Sequence, residues 1–237
     1  MYFNPIFLPL NKKETKVGII LLPIYLVLSL ALFPYGGNGN FMPYFLFMLA
    51  CFVVALVFFK RFWKETFVNL SLIGKPLIWK VPLAALLNKV FCVFMNDILL
   101  LFEFPYFTNS EWGPMLYDHR LTILEQWGAS SIVLALVCMV IFFPIVEELL
   151  FRGLILGRLY EKTTFWSIVL STLLFAVFRT IPFLGFVQNG DGGYLLVYFL
   201  QHIPFSLFLS WLYISTDSLA APILMQMIYN YCDVMPG

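Results

Sequence analysis

Mostly apolar runs, separated by short polar or turn-forming segments, follow one another along the chain and predict membrane-spanning helices. Seven runs can be distinguished, at Val17–Phe33, Phe41–Phe59, Leu77–Phe104, Ser130–Tyr160, Thr164–Thr180, Tyr194–Ile214 and Leu219–Tyr231. Residues 65–75 are predicted to be a short connection, because Gly74 and Pro76 interrupt the pattern. We therefore expect an all-α, polytopic bundle of about seven transmembrane helices. Since no linker or internal repeat is evident, residues 1–237 are expected to form one membrane domain.

The fourth run differs from the others because it carries charges deep inside an apolar sequence. Its first part, Ser131–Val146, is uncharged, and Glu147, Glu148 and Arg152 follow without a turn signal. At a rise of about 1.5 Å per residue, Glu147 would lie roughly 15–18 Å from the basic end at Arg158, near the middle of a bilayer. Charged side chains are costly there and generally face a protein interior or a water-filled cavity. We therefore expect these charges to belong to a functional site.

Polar side chains of later helices are predicted to reach the same depth as Glu147. Arg179 lies toward the far end of the next run. Gln226 and Asn230 lie one helical turn apart, and so on one face, in the last run. Counting residues along each helix brings these four side chains to one level. The sequence therefore predicts a polar centre at mid-membrane.

Glu148 and Arg152 are four residues apart, in the order that favours an ion pair on one face of a helix. Glu147 projects in another direction and is left to face the other polar groups. The alternative interpretation is that all these groups only join helices through hydrogen bonds, as polar residues in membrane bundles often do. Spacing alone does not distinguish the two interpretations.

Composition excludes several classes of protein. Of the 237 residues, 62% are hydrophobic and 11% are charged, which is too apolar for a soluble domain of this length. The formal net charge of +1 gives no indication of a nucleic-acid partner. The chain has only 2 histidines and no clustered ligands, so neither a metal nor another cofactor is predicted.

Basic residues are concentrated beside the first two runs. They are Lys12, Lys13 and Lys16 before the first run, and Lys60, Arg61 and Lys64 after the second. Both clusters would lie on one side of the membrane, and the positive-inside rule places that side, with the N-terminus, in the cytoplasm. The segment Pro105–Gln126 is then expected to be an outer loop with a short interfacial helix.

Three segments of the C-terminal half resemble motifs of one known family. Glu147–Gly153 (EELLFRG) matches an EExxxR motif, Ser171–Arg179 (STLLFAVFR) resembles an FxxxH segment, and Leu212–Asn230 resembles the stretch that ends in HxxxN. Their order and spacing are similar to those of the CAAX-protease and bacteriocin-processing (CPBP or Abi) family of intramembrane proteases. The resemblance implies a CAAX-protease-like core in residues 127–237, preceded by N-terminal spans and the outer loop in residues 1–126.

The resemblance also implies catalytic roles for six motif positions, which are Glu147, Glu148, Arg152, Arg179, Gln226 and Asn230. In the family, the first glutamate is thought to activate a water, while the histidines and the asparagine hold that water and stabilise the oxyanion. This chain has Arg179 and Gln226 where the family has histidines. Arginine stays protonated and glutamine does not titrate, so neither exchanges a proton near working pH. Pairing with Arg179 would also weaken Glu147 as a base.

Two functions stand as hypotheses. The first is a pseudo-protease that no longer cuts but binds and regulates a membrane partner, such as a sensor kinase, an envelope enzyme or a bacteriocin-immunity target. The second is an active, glutamate-dependent CAAX-type endopeptidase that cleaves membrane-associated peptides or proteins. Transport through the polar centre is a third class, but neither an inverted repeat nor paired broken helices support it. The expected partners are membrane lipids and a membrane protein or lipid-embedded peptide, in a bacterial cell membrane.

Overall fold

A computed structural model describes residues 10–32, 41–101, 133–134, 136–160, 163–181 and 193–234 of the chain. The helices of this part are α1 (Lys12–Leu32), α2 (Phe41–Phe58), α3 (Lys60–Leu101), α4 (residues 136–160), α5 (Thr164–Thr180), α6 (Gly193–Thr216) and α7 (Ala220–Val234). Each overlaps with one of the seven predicted runs, and the predicted all-α class is confirmed for the described residues. The predicted outer loop at Pro105–Gln126 lies outside them.

The prediction of a connection at residues 65–75 is wrong. α3 continues through them as one helix of 42 residues, which includes Gly74 and Pro76. A glycine inside a helix costs only about 1 kcal/mol and a proline removes one hydrogen bond, so the turns on either side can outweigh both. At about 1.5 Å per residue, α3 is roughly 63 Å long, about twice the thickness of a hydrocarbon core. Its segment Leu77–Met95 is the part that qualifies as a candidate membrane span.

Two helices of the described chain are long and apolar enough to cross a membrane. They are Lys12–Leu32 and Leu77–Met95, while Met42–Phe58 and Thr164–Thr180 are apolar but shorter. The count of about seven spans is therefore not confirmed and stays a prediction. The organisation of residues 1–237 as a single membrane domain also stays a prediction.

The start of α1 is fixed by a capping box. The side-chain oxygen Oδ1 of Asn11 accepts hydrogen bonds from the backbone N–H groups of Lys13 and Glu14, each at 2.9 Å. The Glu14 carboxylate in turn accepts a hydrogen bond from the Asn11 N–H, at 2.8 Å. This reciprocal pairing satisfies donors that the first turn of a helix otherwise leaves without partners. The capping box fixes the residue at which α1 begins. The helical periodicity then determines which side chains of α1 lie on the face toward the bundle.

A single stripe of α1 is buried, consisting of Glu14, Gly18, Leu21, Tyr25 and Ser29. Spacings of three and four residues place these side chains on one face of the helix. Gly18 allows α1 to approach α4 closely, since a Cβ atom at this position would lie 3.1 Å from the Leu154 side chain. The stripe therefore brings Tyr25 against the charged region of α4.

The centre of the bundle is α4, which is not a uniform α-helix. Cys138–Phe142 and Leu149–Leu156 have π-helical hydrogen bonding, and Phe143–Glu148 and Gly157–Tyr160 are α-helical. π-helical turns are wider, because each N–H bonds five residues back, and they are frequent at functional sites. The helices α1, α2, α5, α6 and α7 all pack against α4. Polar groups on α4 therefore have to pair with one another or with side chains of the surrounding helices.

Candidate functional site

Three side chains from three different helices donate hydrogen bonds to the carboxylate of Glu147 on α4. Arg179 Nη2, from α5, lies 2.7 Å from Glu147 Oε2, and Gln226 Nε2, from α7, lies 2.5 Å from the same oxygen. The Tyr25 hydroxyl, from α1, donates to Oε1 at 3.1 Å. The side chain of Glu147 is 1% exposed, while that of Arg179 is 18% exposed. The structure thus brings together three of the four residues expected at the polar centre.

The surroundings of Glu147 supply donors to both carboxylate oxygens. Arg179 provides a permanent positive charge 2.7 Å from Glu147 Oε2, which offsets the cost of burying a carboxylate there. Hydrogen bonds between charged groups are the strong class, and they are stronger still away from water. None of Tyr25, Arg179 and Gln226 is a ready proton acceptor. The arrangement can therefore hold a carboxylate or orient a neighbouring carbonyl, but it lacks a group that relays protons near neutral pH.

The neighbouring carboxylate, Glu148, forms the ion pair that its spacing predicts. Arg152 Nη1 lies 2.9 Å from Glu148 Oε1, and both side chains are fully buried. Arg152 Nη2 donates to the backbone carbonyl oxygen and to the hydroxyl of Ser206 on α6, at 3.0 and 2.7 Å. These additional hydrogen bonds offset part of the cost of burying the ion pair, while Glu148 Oε2 and Arg152 Nε have no hydrogen-bond partner among the described residues. This pair therefore joins α4 to α6.

The ring of Phe175 on α5 lies within cation–π distance of both arginines. The Cζ atom of Arg152 is 4.4 Å from the ring centroid, and that of Arg179 is 5.4 Å from it. Phe175 is itself buried against Phe151 and Phe205, with ring centroids 5.3 and 6.0 Å apart. The phenylalanine of the FxxxR segment is therefore the common neighbour of the two ion pairs.

The side-chain amide of Asn230 does not donate to Glu147, and the expectation that all four polar groups meet needs this correction. The amide Nδ2 of Asn230 donates instead to the backbone carbonyl oxygen of Met139, at 2.6 Å. Gln226 and Asn230 share a face of α7 as predicted, but the 4-residue step along α7 corresponds to a displacement of roughly 6 Å. That displacement carries Asn230 past the carboxylate to the first π segment of α4.

Sequence reasoning missed Tyr25. Its side chain is fully buried and packs against Phe178, with ring centroids 5.1 Å apart. The available signal was a hydroxyl-bearing aromatic residue in the middle of the first apolar run, with Ser29 one turn later. A buried tyrosine hydroxyl usually finds a hydrogen-bond partner. The sequence did not indicate that this partner is Glu147, 122 residues away.

Histidines and metal ligands contribute little to the described site. No group of three or more His, Cys, Asp or Glu side chains that could hold a metal ion lies within the described ranges. His119 falls outside those ranges, and His202 lies on α6. The carboxylates of α4 are instead paired with the two arginines.

Residues 129–232 match the family profile described as type II CAAX prenyl endopeptidase Rce1-like. This segment is Rce1-like. The match covers a little under half of the chain and includes all six motif positions and the helices α4 to α7. It confirms the family resemblance inferred from the three motifs. Tyr25, which completes the surroundings of Glu147, lies outside the Rce1-like segment.

A longer part of the chain is similar to a protein of Bacillus subtilis (strain 168) named "Putative membrane peptidase YdiL". The two are 26% identical over 185 residues, which make up 77% of this chain and 66% of the relative. The chain thus spans just under two thirds of the relative's length. No solved structure matches the chain significantly. Together with the two long apolar helices, these similarities identify a membrane protein.

Proposed function

We propose that the chain is a non-proteolytic member of the CPBP family, a pseudo-protease that binds and regulates a partner inside the membrane. The observation that supports this function is the ion pair of Glu147 with Arg179, at 2.7 Å. A glutamate that activates water has to accept a proton and pass it on. Arg179 and Gln226 both donate to Glu147 Oε2, and neither side chain can accept that proton.

The expected loss of activity is large. Removing a positioned general acid or base typically lowers a rate by about 10²–10⁴-fold. Both positions that carry histidine in the resembling motifs are changed here, to Arg179 and Gln226. We therefore expect proteolysis to be absent or very weak, although the helical core and the Glu148–Arg152 pair are retained.

The proposed partner is a membrane protein or a lipid-embedded peptide, such as a sensor kinase, an envelope enzyme or a bacteriocin-immunity target. Its proposed location is a bacterial cell membrane, with the N-terminus of this chain in the cytoplasm. Of the polar centre, Arg179 is the most exposed member, at 18% of its side chain. Arg179 is therefore the group that a polar atom on a partner helix would meet first.

A proteolysis assay with restored histidines tests the loss of catalysis. The wild-type chain, Glu147→Ala and the double variant Arg179→His/Gln226→His are purified in detergent and incubated with a set of fluorescent membrane peptides. We expect no cleavage by the wild-type chain. We expect Glu147-dependent cleavage in the double variant if two imidazoles are what the site lacks. Cleavage by the wild-type chain that Glu147→Ala abolishes would contradict the pseudo-protease proposal.

Co-purification from native membranes tests partner binding. Arg179→Met should lose the partner, and the matched control Arg158→Met, which alters an exposed arginine on the same helix bundle, should retain it. The charge-neutral pair Glu147→Gln/Arg179→Met separates contact with the partner from folding. Equal recovery of partners with all four chains would contradict a role of the polar centre in binding.

The second candidate is an active, glutamate-dependent endopeptidase. One observation favours it: the N–H groups of Arg179 and Gln226 converge on a single oxygen position, as donors that stabilise an oxyanion do. The assay above separates the candidates, because an active wild-type enzyme would cleave the peptides and Glu147→Ala would abolish that cleavage.

A further inference from the structure

The carbonyl of Met139 occupies an unusual position in α4. In the π segment Cys138–Phe142, each N–H bonds to the carbonyl five residues earlier, and the N–H of Phe143 accordingly bonds to Cys138 O. In the same pattern, the donor for Met139 O would be the N–H of residue 144. That residue is Pro144, which has no N–H. Two backbone N–H groups could donate to Met139 O along the helix, those of residues 143 and 144. The N–H of Phe143 donates to Cys138 O, and Pro144 has none.

Asn230 supplies the absent donor from another helix. Its Nδ2 lies 2.6 Å from Met139 O. The amide must face Met139 O with Nδ2 and not with Oδ1, because Oδ1 and the carbonyl oxygen are both acceptors. Since Asn230 is only 6% exposed, water is a poor substitute for this contact. A partly buried carbonyl without a donor is costly, so the amide stabilises α4 where the backbone supplies no N–H group.

We propose that Asn230 is a positioning residue that replaces the N–H lost at Pro144 and thereby sets where α7 lies along α4. Gln226 is one turn earlier on the same face of α7, and it donates to Glu147. Two side-chain hydrogen bonds therefore join α7 to α4, from Asn230 to Met139 and from Gln226 to Glu147. Fixing the first contact places the second. This inference concerns the shape of the site and holds whether or not the chain cleaves peptides.

Replacing Pro144 tests the proposal, because Pro144→Ala restores the backbone donor. Thermal unfolding in detergent is measured for the wild-type chain, Asn230→Ala, Pro144→Ala and the double variant. Asn230→Ala alone should lower Tm by roughly 5 °C, as expected for an unsatisfied buried carbonyl. In the Pro144→Ala background the same change should have less than half of this effect. Additive effects would overturn the proposal.

Ser171→Ala is the matched control. The Ser171 hydroxyl also donates to a backbone carbonyl of α4, that of Phe151, at 2.9 Å. No proline lies four or five residues after Phe151, so this carbonyl keeps donors within its own helix. The effect of Ser171→Ala should therefore be the same with and without Pro144→Ala. An equal coupling of both polar residues to Pro144 would contradict the assignment of Asn230.

A spectroscopic readout removes the dependence on folding yield. Met139–Val140 is the single Met–Val pair in the sequence. Labelling methionine with 13C at the carbonyl and valine with 15N therefore isolates the Met139 carbonyl signal in solid-state NMR. Asn230→Ala should shift this signal toward lower frequency, and adding Pro144→Ala should move it back. A signal that does not respond to Asn230→Ala would overturn the proposal. The carbonyl signals of the other methionines should not change, and they serve as internal references.

Discussion

Glu147 and Glu148 are adjacent on one helix, yet their ion pairs serve different parts of the fold. Glu148 pairs with Arg152 one turn along α4, and this pair is hydrogen-bonded to α6 through Ser206. Glu147 pairs with Arg179 on α5 and gathers donors from α1 and α7 as well. Consecutive residues of a helix point in directions about 100° apart. Two neighbouring carboxylates thus take part in two junctions, one between α4 and α6 and one among α1, α4, α5 and α7.

The two arginines also differ in their access to solvent. Arg152 is fully buried, whereas 18% of the Arg179 side chain is exposed. A charge left alone in the interior is far more costly than one that water or a lipid headgroup can reach. The pair at Glu148 should therefore be the more sensitive one in stability measurements. The pair at Glu147 should be the more sensitive one in partner binding.

The largest effect is expected for Arg152→Met. The substitution leaves Glu148 buried without its ion-pair partner and removes both hydrogen bonds to Ser206, so we expect a loss of about 3–5 kcal/mol in the free energy of unfolding. Chemical unfolding in detergent measures the change. The double variant Glu148→Gln/Arg152→Met should recover a large part of it, because the uncompensated charge is then absent. A double variant no more stable than Arg152→Met would show that packing, and not charge, dominates.

Arg179→Met should have a smaller effect on stability. Glu147 would keep the hydrogen bonds from Tyr25 and Gln226, and the vacated position is partly exposed, so we expect a loss of about 2 kcal/mol. The same unfolding assay applies, with Arg158→Met as the control for removing an exposed arginine. A loss as large as that of Arg152→Met would break the distinction between the two pairs.

Tyr25→Phe should cost about 1 kcal/mol, since it removes one hydrogen bond of 3.1 Å to a charged acceptor. Tyr231→Phe is the control, because it removes the hydroxyl of a tyrosine that is 50% exposed. We expect the Tyr25 variant to be the less stable of the two by unfolding. Equal stabilities would contradict a contribution of α1 to the polar centre.

The smallest effect concerns salt. Screening reaches exposed charges much more than buried ones, so raising ionic strength should reduce the cost of Arg179→Met by a few tenths of a kcal/mol. The cost of Arg152→Met should stay constant. Unfolding curves at low and high sodium chloride measure both values. A salt dependence of the Arg152 variant would indicate that its ion pair is more accessible than the structure shows.

The polar centre was predictable to the extent that residue counts along α-helices are reliable. The distance of Glu147 and Arg179 from their helix ends placed the two at one depth, and the structure pairs them. The Glu148–Arg152 pair followed from i, i+4 spacing. Each helix of the described residues also overlaps with a predicted apolar run, because long apolar runs are the strongest pattern in a sequence.

The remainder depended on packing that no local pattern encodes. The two π segments of α4 change which carbonyls have donors, and the choice between bonding four or five residues back is decided by the surrounding helices. Asn230 was therefore expected at Glu147 but contacts Met139. Gly74 and Pro76 indicated an end of a helix that the rest of α3 overrides. Tyr25 pairs with a residue 122 positions away, which spacing cannot show.

The partners of Glu147 also impose an order on biosynthesis. Tyr25 leaves the ribosome long before Glu147, but Gln226 is made 79 residues after it. Glu147 is therefore synthesised while Gln226, the last of its three donors, has not yet been translated. A product that stops before the final helix would lack the Gln226 donor, and Glu147 would have only Tyr25 and Arg179 to complete its surroundings.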